Sequence, residues 1–294
     1  MHSGEILNTK YEIVSRISLK GYRQKWLATD KSNNNKVVLE TLHDDLMNNP
    51  SAIDSLRYEL QVSQKLEGDV FQKCIDTFLH KDKLFLVWQH YDYEPLSIAL
   101  NGIVSGIISD SQKLDFVSKI SRGINHAHSL NIIHGRINGE NILVDPKLHP
   151  KIINFSSNQM YENTDPGGNS ILSSKHLIAP EIINGERPDR LTDFYSIGII
   201  AKVLFLNNAS RENVDLRTLR LLHLRRDIDP VIANVIDGLS SSDRGLREVA
   251  IEKLLDDNFL SSMNTPPSGV PIVKVSRFKS RKIIKRHKRN NNDS

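Results

Sequence analysis

The sequence has little of what typically holds together a secreted or membrane-embedded protein. Its 294 residues include a single cysteine, Cys74, so no disulfide can form within the chain. No apolar run approaches the roughly 18 residues that a membrane-spanning helix needs, and residues 1–10 lack the apolar centre of a secretory signal. These absences predict a cytoplasmic protein without a transmembrane segment, and they exclude metal sites built from cysteine clusters.

Positive charge is concentrated at the C-terminus. Residues 262–294 hold nine Lys or Arg and one acid, which leaves 30 basic and 34 acidic residues before them. The first 261 residues therefore carry a net charge of −4, although the whole chain carries +4. Proline, glycine and like-charge repulsion predict a disordered basic tail over 262–294. Such a tail either contacts nucleic acid or an anionic membrane surface, or stays solvated without a dedicated partner.

The spacing of apolar residues predicts a strand-rich first third and a helix-rich remainder. Strands are expected near residues 11–14, 26–28, 37–39, 84–88, 142–144 and 151–153, and helices over 51–66, 111–130, 192–206, 231–239 and 246–255. This uneven division indicates an α+β protein of two unequal lobes. The predicted boundaries are an N-terminal extension at 1–10, a small lobe at 11–91, a large lobe at 92–261 and the tail at 262–294.

Several short motifs occur in the order in which protein kinases carry them. Residues 134–143 read HGRINGENIL, which resembles the kinase catalytic loop HRDLKPENIL, and residues 154–156 read NFS where kinases have DFG. Ala179, Pro180 and Glu181 match the family's APE motif, and Asp193 and Gly198 lie in a segment similar to the start of the central large-lobe helix. Over about residues 11–260 the chain thus resembles bacterial eukaryotic-like Ser/Thr kinases. The resemblance implies a bilobal fold with a small antiparallel-sheet N-lobe and a mainly helical C-lobe.

The resemblance also places unusual residues where kinases handle ATP. The glycine-rich loop would carry Ser18, Lys20 and Arg23 in place of the three glycines that let the backbone approach phosphates. Glu40 stands in place of the strand lysine that attracts the phosphates, so attraction becomes repulsion. Glu59 occupies the position of the helix glutamate that pairs with this lysine in the family.

The two glutamates cannot pair with each other, and the sequence leaves three arrangements open. The carboxylates swing apart, or one of them binds a basic neighbour such as Lys20 or Arg23, or Glu40 points to solvent. Trp88, just before the presumed hinge, either narrows the adenine pocket or is an ordinary core aromatic.

The catalytic loop lacks the groups that accept a proton and bind a metal. Arg136 occupies the position of the catalytic aspartate, and a guanidinium cannot accept a proton at any relevant pH. Asn138 replaces the loop lysine, and Asn154 replaces the metal-binding aspartate of DFG, so Asn141 alone remains of the metal set. The resemblance therefore implies no catalytic residue and no metal. It implies no cofactor either, beyond weak, metal-independent ATP binding.

Positions with structural roles in the family are retained. They are His134, Phe155, Ala179, Pro180, Glu181, Asp193 and Gly198. His134 is expected to be a packed, hydrogen-bonded side chain rather than a base. Glu181 is expected to pair with Arg244 or Arg247.

Loss of chemistry within an intact frame predicts a pseudokinase, a catalytically inactive kinase-like domain that scaffolds or allosterically regulates a protein partner. An active kinase is one candidate for that partner. The alternative is an atypical Ser/Thr protein kinase that transfers phosphate from ATP, with Arg23 or Lys20 as a relocated phosphate anchor.

Overall fold

An antiparallel sheet comes first in the computed structural model, which describes residues 1–18, 22–102, 108–155, 172, 177–206 and 215–259. Its strands pair in the order β1-β2-β3-β4-β6-β5. They are β1 (Ile6–Leu7), β2 (Tyr11–Ser18), β3 (Arg23–Asp30), β4 (Asn35–Leu42), β5 (Cys74–His80) and β6 (Lys83–Gln89). One face of the sheet buries its own apolar cluster, and the other packs against helix α1 (Pro50–Lys65).

The start of helix α1 is set by local sequence. The side chain of Asn49 accepts a hydrogen bond from the backbone N–H of Ala52 at 3.2 Å, and Pro50 at the first helical position has no N–H to leave unsatisfied. The helix then runs for 16 residues and buries Ser55, Leu56 and Glu59 on the side that faces the sheet. Capping and amphipathic spacing thereby carry Glu59 to the centre of the lobe.

The second lobe is mainly helical. It contains a three-stranded sheet of β7 (Glu94–Pro95), β8 (Ile142–Val144) and β9 (Pro150–Ile152). Its helices are α2 (Leu96–Gly102), α3 (Asp110–Ser129), α4 (Pro180–Ile183), α5 (Arg190–Phe205), α6 (Leu221–Leu224), α7 (Pro230–Leu239) and α8 (Arg244–Leu255). Helix α5 has no distinct polar face and is buried along nearly its whole length, which is typical of a helix inside a core.

The close approach of α5 to the end of α7 explains the retained glycine on α5. A Cβ atom added at Gly198 would lie 2.6 Å from the backbone N of Ser240 and 2.8 Å from the carbonyl carbon of Leu239. Both neighbours are backbone atoms, which cannot rotate away. The position therefore accommodates only a residue without a side chain.

The α+β fold with a small antiparallel-sheet lobe and a mainly helical lobe is confirmed, and every predicted strand and helix is present. Of the elements given above, six were not predicted: β1, β5, β7, α2, α4 and α6. Residues 1–10 were predicted as an extension, yet β1 pairs with β2 and buries Leu7 in the sheet's cluster. Strand β5 was not predicted because a register shift between Cys74 and Asp76 interrupts the alternation of its side chains between the two faces of the sheet.

Two parts of the prediction lie outside the described residues, namely Lys20 and the basic tail at 262–294. Within the described ranges, no helix combines the length and apolar character needed to cross a membrane.

Candidate functional site

A buried arginine joins the two glutamates that the sequence left without a defined partner. The Arg23 guanidinium lies 3.3 Å from Glu40 Oε1 and 3.6 Å from Glu59 Oε2. It also donates to the backbone oxygen and the hydroxyl of Ser55, each at 3.1 Å. Of the three arrangements left open, the basic neighbour is correct, and Arg23 binds both carboxylates. Glu40 is 1% exposed, so the prediction that it points to solvent is wrong.

The surroundings of Glu40 favour its charged form. Burial alone would raise the pKa of this carboxyl, but the charges of Lys25 and Arg23 and a hydrogen bond from Trp88 hold that pKa below its usual value. Trp88 Nε1 donates to Glu40 Oε2 at 2.6 Å, and the indole packs in the cluster of Leu56 and Leu86. Trp88 is therefore a core aromatic that also fixes the orientation of Glu40.

Among the described residues, Lys25 is a cation that reaches the space between the lobes, and it was not predicted. Lys25 lies directly opposite Glu40 in the β3–β4 pair and opposite Ser18 in the β2–β3 pair. Its Nζ is 3.4 Å from Glu40 Oε1 and 2.9 Å from Asn154 Oδ1, and the side chain is 21% exposed. Because Asn154 follows β9 in the second lobe, this hydrogen bond joins the two lobes.

Strand periodicity could have revealed Lys25. Alternate residues of a strand share a face, so an inward Arg23 requires Lys25 to point inward as well. The proposed anchor Arg23 is instead engaged by Glu40, Glu59 and Ser55. Arg23 would have to leave these partners to reach a phosphate, so its role as an anchor stays a prediction.

The asparagines at the expected metal positions bind each other. Asn154 Nδ2 donates to Asn141 Oδ1, and Asn141 Nδ2 donates to the backbone oxygen of Arg136, both at 2.9 Å. Asn154 has a φ of 64°, a left-handed conformation that asparagine tolerates better than most residues. Asn138 Oδ1 accepts the backbone N–H groups of Glu140 and Asn141 and thereby closes the turn between them.

This donor set does not fit a magnesium ion carrying a nucleotide. Mg²⁺ is usually held by one or two carboxylates, whereas the two positions here are amides whose oxygens already accept hydrogen bonds from Asn154 and Lys25. The ammonium group 2.9 Å from Asn154 Oδ1 would also repel a cation placed at that oxygen. Across the part of the chain that the structure describes, no group of three or more His, Cys, Asp or Glu side chains is arranged to hold a metal.

A retained carboxylate holds the loop that carries Arg136. Asp193, in the first turn of α5, accepts the backbone N–H of His134 at 3.0 Å and that of Gly135 at 2.7 Å. His134 is fully buried, its Nε2 lies 3.0 Å from the backbone oxygen of Ile153, and burial lowers its pKa. His134 is thus the packed, hydrogen-bonded side chain that was expected. Arg136 is half-buried at the position where a proton acceptor would be needed.

Phe155 ties the N-lobe helix to this loop. Its backbone N–H donates to Glu59 Oε1 at 3.1 Å, and its ring centroid lies 4.7 Å from that of His134. Glu59 therefore connects Arg23 of the sheet to the segment that follows β9. Glu59 thereby links the two lobes. In the family, the carboxylate at this position pairs with the strand lysine that Glu40 replaces here.

The expected ion pair of Glu181 is present with both candidate arginines. Arg247, which is fully buried, donates to the two carboxylate oxygens at 2.6 and 2.9 Å, and Arg244 donates to one of them at 3.2 Å. Burial would raise the pKa of Glu181, but the hydrogen bonds and charge of Arg247 hold it below its usual value. Ala179 and Pro180 form the N-cap and first position of α4, which places Glu181 in its first turn.

Comparison with known proteins identifies the class to which this fold and site belong. The sequence profile described as the protein kinase domain matches residues 23–234, so the chain belongs to the protein kinase family. In structure it is similar to the PknI kinase domain of Mycobacterium tuberculosis, with a TM-score of 0.63 at 15% identity, covering 90% of this chain and 98% of that one.

Two bacterial sequences illustrate the relationship further. Serine/threonine-protein kinase PrkC of Bacillus subtilis is 24% identical over 225 residues, which is 76% of this chain and 34% of PrkC. The probable serine/threonine-protein kinase pknA2 of Bifidobacterium longum is 24% identical over 242 residues, which is 81% of this chain and 32% of pknA2. The chain thus spans about a third of the length of these curated relatives.

Proposed function

We propose that this chain is a pseudokinase, an inactive member of the protein kinase family that acts as a scaffold or allosteric regulator by binding another protein. The observation that carries the proposal is the network of Arg23, Glu40, Lys25 and Asn154. A kinase uses this space for a lysine and metal-bound phosphates. Here it holds a buried carboxylate, and the ammonium group of Lys25 is bonded to Glu40 and Asn154.

The chemistry of the loop supports the same conclusion. Phosphate transfer to a hydroxyl needs a group that orients the hydroxyl and accepts its proton. The cation at Arg136 cannot accept that proton, and the amides of Asn141 and Asn154 are weak ligands for the metal that would neutralise the phosphates. We propose that the protein requires no cofactor. We expect any ATP affinity to be weak and the same with and without Mg²⁺, because the two positions expected to hold the metal are amides.

The competing function is that of an atypical Ser/Thr kinase, because both bacterial relatives are named as Ser/Thr kinases. In that case Lys25, rather than Arg23, would have to release Glu40 and Asn154 to reach a phosphate. Incubation of the purified protein with radiolabelled ATP, Mg²⁺ or Mn²⁺ and a general protein substrate separates the two functions. Asn141→Ala and Lys25→Ala provide matched controls.

We expect wild-type incorporation of phosphate to equal that of both variants, and no Mg²⁺-dependent thermal shift with ATP. Incorporation that exceeds background and is lost in Asn141→Ala and Lys25→Ala would reject the pseudokinase proposal and establish the atypical kinase.

A regulatory role requires a protein partner, and we propose an active kinase as one candidate. Cross-linking in the native cell followed by mass spectrometry identifies proteins held by the wild-type chain. The activity of a captured kinase is then measured with and without added protein. A change in its rate that persists with Asn141→Ala supports regulation by binding rather than by phosphate transfer.

For residues 262–294 we propose contact with a polyanion, either nucleic acid or an anionic membrane surface, on the basis of their charge of +8. Removing these residues is expected to abolish salt-sensitive binding to DNA fragments or to phosphatidylserine vesicles. Equal binding by the full and shortened chains would show that the tail has no such role.

A further inference from the structure

Helices α5, α7 and α8 border a groove in the C-lobe that is separate from the cleft between the lobes. Its volume is about 540 Å³, within the range of pockets that hold organic ligands or protein side chains. The residues that give the groove its character are Lys202, Arg217, Arg220, Leu246, Val249 and Lys253. None of them takes part in the networks around Glu40 or Glu181.

The groove is basic although the body of the chain is acidic. Arg217, Arg220 and Lys253 line it with exposed side chains, while Asp237 is the acid among the described residues that line it. Asp237 is paired with Lys202 at 3.4 Å, so these two buried charges cancel. The exposed cations therefore make the surface of the groove positively charged. Asp215 offsets one of these charges through its ion pair with Arg217 at 3.2 Å. Residues 1–261 as a whole carry a net charge of −4, so this basic surface contrasts with the rest of the body.

A buried lysine fixes the backbone that carries two of the groove's arginines. Lys202 Nζ donates to the backbone oxygens of Leu216 at 3.1 Å and Leu219 at 2.7 Å. Asp237 accepts the backbone N–H of Leu221 at 3.1 and 3.2 Å. These bonds fix residues 216–221 on both sides of Arg217 and Arg220. The two arginines are thus presented on a backbone that needs little ordering when a ligand binds.

An apolar strip runs beside the cations. Leu246 and Val249 are 51% and 63% exposed and lie three residues apart on α8, with Lys253 four residues further along the same face. A small inorganic anion would contact the cations and leave this strip uncovered. A peptide segment with both acidic and apolar side chains would cover both.

We propose that this groove docks an acidic, amphipathic segment of a partner protein. Its glutamate or aspartate side chains would pair with Arg217, Arg220 and Lys253, and its apolar side chains would cover Leu246 and Val249. The charge complementarity sets specificity and association rate, and the apolar strip adds buried area. The inference rests on the proposed function, in which the chain acts by binding, and it specifies the chemistry of the partner.

The probe for this surface is a fluorescein-labelled peptide that combines leucine and glutamate in an amphipathic helical repeat. Its binding to the full-length chain is followed by fluorescence anisotropy. The double variant Arg220→Glu/Lys253→Glu reverses two exposed charges of the groove. The matched control Lys31→Glu/Lys36→Glu reverses two exposed charges of the N-lobe, and thermal melts confirm that both variants are folded.

We expect the groove variant to bind the peptide on the order of tenfold more weakly, with the control variant unchanged. The pair Leu246→Ser/Val249→Ser is expected to weaken binding as well, and a polyglutamate peptide without leucine is expected to bind less tightly. Affinity that is unchanged by the groove reversal, or reduced equally by the N-lobe reversal, would overturn the proposal. So would polyglutamate binding as tightly as the amphipathic peptide, since the apolar strip would then have no role.

The outcome is separable from that of the proposed function. Peptide docking can be absent from a chain that transfers no phosphate, and phosphate transfer can be detected in a chain that docks the peptide. Loss of binding on deletion of residues 262–294, with no effect of the groove reversal, would assign the binding to the tail and overturn the groove.

Discussion

The cleft between the lobes and the frame of the C-lobe arrange their buried charges differently. In the frame, defined here by His134, Glu181, Asp193, Gly198 and Arg247, Glu181 binds the arginine that its family position implies, and Asp193 accepts the backbone N–H of His134. In the cleft, a carboxylate stands where the family has a lysine, and the compensating cation comes from the neighbouring strand at Arg23. In the frame, the buried acid Glu181 keeps both its family position and its arginine partner. In the cleft, the buried charges are still balanced, but they lie at different positions from those of the family.

The difference shows that folding and catalysis place unequal demands on the same side chains. Folding requires that a buried acid such as Glu59 meets a cation, and Arg23 on β3 meets this requirement as well as a lysine on β4 would. Catalysis requires the cation at a particular point beside the phosphates, and exchange between strands does not preserve that point. The residues of the cleft can therefore change without loss of the lobe's architecture.

The largest effect is expected when the cleft loses its buried cation. Arg23→Met leaves Glu40 and Glu59 with much less compensation in a buried setting, and should lower the free energy of unfolding by about 3–5 kcal/mol. Lys25→Met is the matched control. Lys25 is partly exposed and Glu40 retains Arg23 and Trp88, so its loss should cost about 1 kcal/mol or less. Urea unfolding measures both, and equal effects of the two variants would contradict the assigned roles.

A comparable test of the frame removes Arg247. Arg247→Met leaves Glu181 with Arg244 alone, and we expect a loss of about 3 kcal/mol in the free energy of unfolding. Arg244→Met, at a partly exposed side chain, should cost below about 1 kcal/mol. If Arg244→Met proves the more damaging change, the bidentate pair does not anchor the frame.

A smaller loss is expected from added volume in the frame. Gly198→Ala places a methyl group against the backbone of Ser240 and Leu239, which should cost about 2 kcal/mol because α5 and α7 must move apart. Gly245→Ala, whose added Cβ would meet only a side-chain oxygen of Asp243 at 3.2 Å, is the control and should be nearly neutral. Thermal unfolding compares the two. A neutral Gly198→Ala would mean that the helices adjust freely.

The smallest effect concerns pH. Burial places the pKa of His134 in the folded state below its ordinary value of 6.5, so the unfolded chain takes up the proton first. The contribution of His134 to stability is therefore complete above pH 6.5 and is lost as the pH falls below it. Denaturant titrations between about pH 7.5 and about pH 5.5 give the free energy of unfolding at each pH. This free energy should fall more steeply with decreasing pH for the wild type than for His134→Gln. Parallel curves would show that His134 does not titrate differently on folding.

Much of the fold could be predicted because it depends on local patterns. The spacing of apolar residues located α1, α3, α5, α7 and α8, and their observed bounds differ from the prediction by few residues. Strands β1 and β7 were missed because two-residue strands carry no periodicity, and their pairing depends on neighbours distant in sequence. The partners of Glu181 were predictable because the family position names its possible arginines.

The site was predictable only in its residue types. That Arg136 cannot accept a proton and that Asn154 is a poor metal ligand follow from side-chain chemistry alone. That Arg23 serves Glu59 while Lys25 bridges to Asn154 depends on the register of β3 against β4. Arg23 and Lys25 lie two residues apart on the same face of β3, so their positions along the strand decide which cation reaches Glu59 of the helix and which reaches Asn154 of the second lobe.

The order of amino acids alone indicates a two-lobed relative of protein kinases. It also shows that the usual base and carboxylate ligands of the cleft are replaced, because these are properties of single residues. Tertiary structure decided how the misplaced charge of Glu40 is neutralised and where a basic groove forms. Both features join residues far apart along the chain, such as Arg23 with Glu59 and Lys202 with Asp237. Only packing determines which of the available opposite charges become neighbours.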